Sequence, residues 1–242
     1  VRDYNKECQD CDGRKYAYDF DRVLRGYMVR TFRPFCPAGG KALELGCYKG
    51  DYTELLAEEF ADLTVVEASD ELLAATRARV GDGVRFINST FEALELPAQY
   101  DAIFLVHTLE HIDDPVATLN RIGGWLAPQG RLFVAVPNAN AASRLIAVEM
   151  GLVEHAAAIT PGELAQGHRR TYCFDTLHRD IAAAGLRVVT RGGVFFKPLA
   201  NFQFDKLMGT DVLNQGYLDG CYALGLRYPD LCASIYAVCA KP

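Results

Sequence analysis

Glu44, Gly46 and Gly50 stand in the run Lys41-Ala-Leu-Glu-Leu-Gly-Cys-Tyr-Lys-Gly-Asp51, where a short apolar stretch breaks into a turn and a helical apolar pattern follows. Glycine serves where the backbone turns sharply or a ligand comes close, because a Cβ would clash there. The helix start beyond the turn offers unpaired N–H groups to whatever lies above the strand end. This is the layout of a nucleotide-like ligand site, and Glu44 sets the sign of the charge it accepts: a pyrophosphate would be repelled, a cation attracted. Glu67 ends a second apolar run, Leu63-Thr-Val-Val-Glu67, 21 residues beyond Gly46. That is close to the ~20-residue offset at which a strand-end carboxylate reaches the hydroxyls of a ribose. Of the five histidines, His107 ends a predicted strand, His111 lies in the stretch that follows it, and His168 stands just before a later predicted helix. An imidazole that titrates near neutrality suits a general base. His155 and His178 have no comparable setting. His107, Glu110 and His111 are spaced i, i+3, i+4, so one helical turn would put them on one face, with His168 as a fourth potential metal ligand.

The elements that must hold these residues follow from periodicity. Residues 1–18 show no period and read as an arm. Phe20, Val23, Leu24, Tyr27, Met28 and Phe32 have helical spacing. Tyr16, Tyr18 and Tyr27 either wall a ligand site or cap the core edge. Strands are expected at 41–45, 63–67, 84–87, 100–107, 131–136, 186–189 and 231–239, with Ser69 or Asp70 capping a helix over 71–80. The run Tyr100-Asp-Ala-Ile-Phe-Leu-Val-His107 is apolar nearly throughout, as a central strand covered on both faces requires. Residues 138–173 and 197–229 read as insertions, the second rich in aromatic residues.

The 242 residues and 50% apolar content suit one α/β domain with a full core. A net charge of −6 argues against a phosphate-tracking surface. No apolar run is long enough to span a bilayer and the polar start lacks a secretion signal, so no membrane partner and a cytoplasmic location are expected. The eight cysteines are scattered, which fits reduced thiols. Cys8-Gln-Asp-Cys11 has the spacing of a zinc pair, but no second pair accompanies it.

The E-x-G-x-x-x-G turn, with no glycine at position 48, resembles the first motif of the class I S-adenosylmethionine (SAM) dependent methyltransferases and departs from the G-x-G-x-x-G of dinucleotide dehydrogenases. The runs D-x-I-x-x-x-x-x-L-E-H-I-x-D-P and L-x-R-I-x-x-W-L-x-P-x-G-x-L-x-V-x-V-P-N are similar to later motifs of the same methyltransferases, so the likeness covers residues 41–138 in order. It extends in G-H-x-x-x-Y-x-x-x-T-L from Gly167. The resemblance implies a Rossmann-like α/β fold: a seven-stranded, mostly parallel sheet with the last strand antiparallel, flanked by helices, in a single domain whose insertions cap the acceptor side. It implies SAM as cofactor and S-adenosylhomocysteine as product. Glu44, Gly46, Cys47, Tyr48 and Gly50 would shape the methionine end, Glu67 and Ala68 the ribose end, Thr90 and Phe91 the adenine border, and His107 the region near the sulfonium. Thr90 stands where the family commonly has Asp, so either its hydroxyl or Asn88 would accept from adenine. His168 is the expected base, with His111 either catalytic or structural.

The expected activity is methyl transfer to an oxygen or nitrogen of a small-molecule acceptor. No N-P-P-Y or D-P-P-Y run follows the fourth strand, which argues against a nucleic-acid amino group. No metal is assigned. Two branches of the superfamily hold a divalent ion with an E-x-x-E-H run and a later His; here His107 replaces the first Glu, which would favour a softer ion than Mg²⁺. A metal-assisted enzyme acting on vicinal hydroxyls and a non-catalytic SAM-binding protein are the alternatives. The oligomeric state is not legible.

Overall fold

The computed structural model describes residues 4–6 and 17–242; Tyr16 and the Cys8/Cys11 pair lie outside them. Seven strands form one sheet: β1 (Lys41–Leu45), β2 (Asp62–Glu67), β3 (Arg85–Asn88), β4 (Tyr100–Val106), β5 (Leu126–Pro137), β6 (Arg187–Phe196) and β7 (Cys232–Ala240), in the order β3-β2-β1-β4-β5-β7-β6. β7 runs antiparallel to both β5 and β6, and the other pairings are parallel. Six strands therefore point one way and the last opposes them. Two strands exceed their expected length. β5 begins at Leu126 rather than Arg131, and β6 runs to Phe196 rather than Val189 because β7 pairs with it over most of its length. Gly192 and Gly193 in β6 hid that continuation, since glycine weakens a strand signal; a Cβ at Gly193 would meet the Pro229 carbonyl at 2.4 Å.

Helices α1 (Asp19–Phe32), α2 (Asp51–Glu59), α3 (Asp70–Val80), α4 (Pro115–Trp125), α5 (Ala142–Glu149), α6 (Pro161–Ala165), α7 (Phe174–Ala183), α8 (Asn201–Leu207) and α9 (Gln215–Arg227) cover the sheet. The local signals that start them are explicit. Ser69 Oγ accepts from Leu72 N–H at 3.1 Å to begin α3, and Asp114 accepts from Ala117 N–H at 3.0 Å with Pro115 in the first turn of α4.

Alternation along the strands divides the core between the two faces. Phe104 and Phe133 stack at 4.8 Å under Phe32 on one face, whereas Leu43, Leu45, Ile103, Leu105 and Trp125 fill the other. Two aromatic residues of the second insertion join the first face, Phe204 stacked on Phe20 at 4.0 Å and Tyr222 on Tyr27 at 4.8 Å, whereas Phe202, Tyr217 and Tyr228 are exposed. Tyr27 is thus a core residue, while Tyr18 reaches the cavity described below. Among the described residues no helix is long and apolar enough to cross a membrane.

Candidate active site

The chain runs from β1 to β2 and β3 on one side of the sheet and then crosses to β4 on the other, so the strand order reverses between β1 and β4. Helices leaving those two strands diverge, which opens a crevice at their carboxyl ends. A cavity of ≈ 390 Å³ lies there.

Its floor is the turn after β1. Gly46 has φ +81°, and a Cβ would stand 2.7 Å from Thr108 Oγ1. Gly50 has φ +84° and opens α2; it does not line the cavity, and a Cβ there would meet Thr76 Cγ2 at 2.9 Å. Its part is to let the turn close against α3. Glu67, at the end of β2, braces the same turn. One oxygen accepts from the N–H of Cys47 at 3.1 Å and of Tyr48 at 3.4 Å, and the other from Ser69 N–H at 3.0 Å. A carboxylate offers about four acceptor positions, so capacity remains for a ligand hydroxyl.

Glu44 is buried, and its Oε2 has no hydrogen-bond partner. Burial pushes its carboxyl up to about 8. An acid so placed, unpartnered and desolvated, is suited to a cationic ligand group.

His107 follows β4 in a left-handed conformation, φ +51°, held by its N–H on the Ala135 carbonyl at 2.8 Å. The ring is set by Nε2, 2.7 Å from Ser234 Oγ on β7. Burial first, then the nearby Arg25 and Lys197, bring it down to about 3, so it is neutral at working pH. Beyond it Leu109–His111 form a 3-10 turn, and the His111 and His168 rings meet edge to face at 4.6 Å. Glu110, His111 and His168 each present a ligand atom within 4.8 Å of the others. Glu110 is buried, its Oε2 has no hydrogen-bond partner, and burial raises it to about 8. Burial lowers His168, more than nearby Glu163 raises it, so its imidazole is a free base near neutrality.

Eleven of the twelve residues singled out from sequence line this cavity: Glu44, Gly46, Cys47, Tyr48, Glu67, Ala68, Thr90, Phe91, His107, His111 and His168; Gly50 stands behind it. Asn88 does not line it; its amide nitrogen donates to the carbonyls of Glu67 and Ala68. The spacing of His107 with Glu110 and His111 does not bring all three together, because the 3-10 turn and the left-handed residue 107 replace the α-helical turn that spacing assumed. Sequence reasoning missed Asp21, Arg25, Glu163, Lys197, Asn201 and Ser234 as wall residues. No local pattern marks them, since each reaches the cavity from an element remote in sequence.

A family model described as "Methyltransferase domain" matches residues 16–191. The chain belongs to the class I SAM-dependent methyltransferases. It is 29% identical over 197 residues to a ubiquinone biosynthesis O-methyltransferase of Idiomarina loihiensis, covering 79% of this chain and 76% of that one. To the protein of the same name from Aeromonas salmonicida it is 30% identical over 189 residues, covering 72% and 74%. Among solved structures, a SAM-dependent methyltransferase from Mesorhizobium loti superposes with TM-score 0.63 at 14% identity, over 90% of this chain and all of that one. The methyltransferase uses SAM as its methyl donor, and the unpartnered Glu44 oxygen and the steric cradle at Gly46 fit such a ligand.

Proposed function

We propose that this methyltransferase transfers the SAM methyl group to an oxygen or nitrogen of a small molecule, with a hydroxyl favoured. The observation that carries the reading is the His168 imidazole, held edge to face against His111 in the wall of the same cavity that holds the Gly46 turn. In this scheme Glu44 faces the cationic end of SAM, Glu67 the ribose hydroxyls, Thr90 and Phe91 the adenine, and His107 the neighbourhood of the sulfur. Both insertions serve the acceptor side, through Thr160 to His168 and through Lys197 and Asn201.

Methyl transfer needs little beyond alignment and a water-poor site, because the sulfonium is already reactive. The acceptor oxygen attacks the methyl carbon, the C–S bond breaks with its electron pair going to sulfur, and the hydroxyl proton passes to His168. The names of the relatives support an oxygen acceptor, and the net charge of −6 supports a small molecule over nucleic acid.

A second reading is favoured by one observation, the convergence of Glu110, His111 and His168 with a spare Glu110 oxygen. One carboxylate and two imidazoles fit a borderline divalent ion, which would acidify a bound hydroxyl; His107 is turned instead to Ser234. A methyl-transfer screen against hydroxylated and amine metabolites tests the main proposal, followed by His168→Ala on the best acceptor. The expected result is a fall in kcat of about 10²–10⁴-fold with SAM affinity kept and no sensitivity to chelators. Unchanged kcat removes His168 from the chemistry, and chelator inactivation reversed by Zn²⁺ or Mn²⁺ selects the metal-assisted form.

A further inference from the structure

Lys197 is the residue directly after β6, whose carboxyl end opens on the same side as the cavity. Its carbonyl is fixed by Ser143 N–H at 2.9 Å. Its ammonium donates to Asn201 Oδ1 at 2.6 Å, the Asn201 amide donates to Asp21 Oδ1 at 2.7 Å, and the other Asp21 oxygen accepts Tyr18 N–H at 2.8 Å. Lys197, Asn201 and Asp21 all line the cavity. Burial lowers the Lys197 ammonium and Asp21 raises it, and the hydrogen bond to Asn201 uses one of its three N–H donors among the described residues.

Two arguments assign this cation to the acceptor. The first is topological. The turn and strand ends proposed for SAM belong to β1, β2 and β3 and, at the sulfur, to β4 through His107, whereas β6 is the opposite edge of the sheet. The second is an inventory of the cations at the wall, which they share with Asp21, Glu44, Glu67, Glu92, Glu110 and Glu163. Arg25 is paired with Asp51 at 3.1 Å, and Arg144, just behind the wall, is committed to Glu163 at 2.7 Å and to the carbonyls of Ala156 and Ala158. Lys197 has a neutral amide as its direct hydrogen-bond partner, and Asp21, bonded to that amide, acts on it through space. One fixed ammonium with two donors to spare matches a monoanion; a phosphate dianion would call for a second cation, and the arginines are already engaged.

We infer that Lys197, positioned by Asn201 and Asp21, is a specificity-determining residue that binds a carboxylate on the acceptor. This rests on the proposed function, since it takes the cavity to hold SAM and acceptor together. The acceptor class then narrows to hydroxylated or amino acids rather than neutral phenols or alcohols.

The test uses benzoate and benzamide, alike in shape and different in charge, titrated by ligand-observed NMR into the full chain saturated with S-adenosylhomocysteine. The expected result is benzoate bound about tenfold more tightly than benzamide, as a charge-assisted hydrogen bond exceeds a neutral one. Lys197→Met should abolish the preference, Lys197→Arg should keep it, and neither should alter the affinity for S-adenosylhomocysteine by more than about twofold. Equal binding of the two probes, no binding of either, or a preference that survives in Lys197→Met overturns the inference. So does a large loss of S-adenosylhomocysteine affinity in a Lys197→Met protein that melts like the parent, because that puts the ammonium on the cofactor. If the parent fails to bind S-adenosylhomocysteine at all, the functional proposal itself fails, independently of Lys197.

Discussion

Glu67 accepts from three backbone N–H groups and so shapes the turn; in the proposed function its remaining acceptor positions take the ribose hydroxyls. Glu67→Ala should weaken SAM binding by about 1.5–3 kcal/mol, the range for hydrogen bonds to a charged group. Calorimetry measures this, and an unchanged Kd would take Glu67 out of the cofactor site. Glu44 yields a pH prediction whose sign can be worked out. Its carboxyl titrates near 8 in the folded protein and near 4.5 in the unfolded chain. Between those values the folded state carries a proton that the unfolded state has lost, so stability falls as pH rises from about 5 to about 8. Urea midpoints for the ligand-free protein should therefore drop over that window, and Glu44→Gln should flatten the slope; identical slopes would show that Glu44 is ionised in the fold. A bound cation favours the carboxylate, so SAM affinity should climb toward pH 8.

At the scale of elements, α1 depends on a helix nearly two hundred residues away. Its N-cap residue Tyr18 makes no side-chain cap hydrogen bond. Instead Asp205 on α8 accepts from Asp19 N–H at 3.2 Å and Phe20 N–H at 2.9 Å, and Phe20 stacks on Phe204. An external carboxylate thus caps the helix and answers the positive end of its dipole. Asp205→Ala should cost about 0.5–2 kcal/mol, the range for a lost N-cap, read from denaturant midpoints. Because α1 also carries Asp21 and Arg25 into the cavity wall, acceptor KM should rise more than kcat falls. Wild-type stability in that variant would mean that α1 gains nothing from the contact.

For the whole molecule, a ligand that fills the crevice between the ends of β1 and β4 stabilises the fold by mass action. S-adenosylhomocysteine at a hundred times its Kd should add about 2.7 kcal/mol, which for a domain of this size is a rise in Tm of about 5–10 °C. A nicotinamide dinucleotide at the same concentration should leave Tm unchanged, since the 46–50 turn has Tyr48 where a dinucleotide site has the glycine that lets the pyrophosphate approach. The reverse ranking in a thermal melt would contradict the cofactor assignment.

The division between what sequence and tertiary structure each decide has a physical basis. Short-range rules govern the turn at 46–50, the carboxylate at 67, the caps at Ser69 and Asp114 and the apolar run of β4. Glycine conformation, capping and burial period act within a few residues, so the sheet and the family were legible from the chain alone. The longer β6, the burial of Phe204 and Tyr222 against α1, the 3-10 turn that separates His107 from Glu110 and His111, and the junction of Asp21, Asn201 and Lys197 were not. Each is fixed by packing between segments distant in sequence, where a side chain's partner is chosen by the closure of the whole sheet and its helices rather than by its neighbours along the chain.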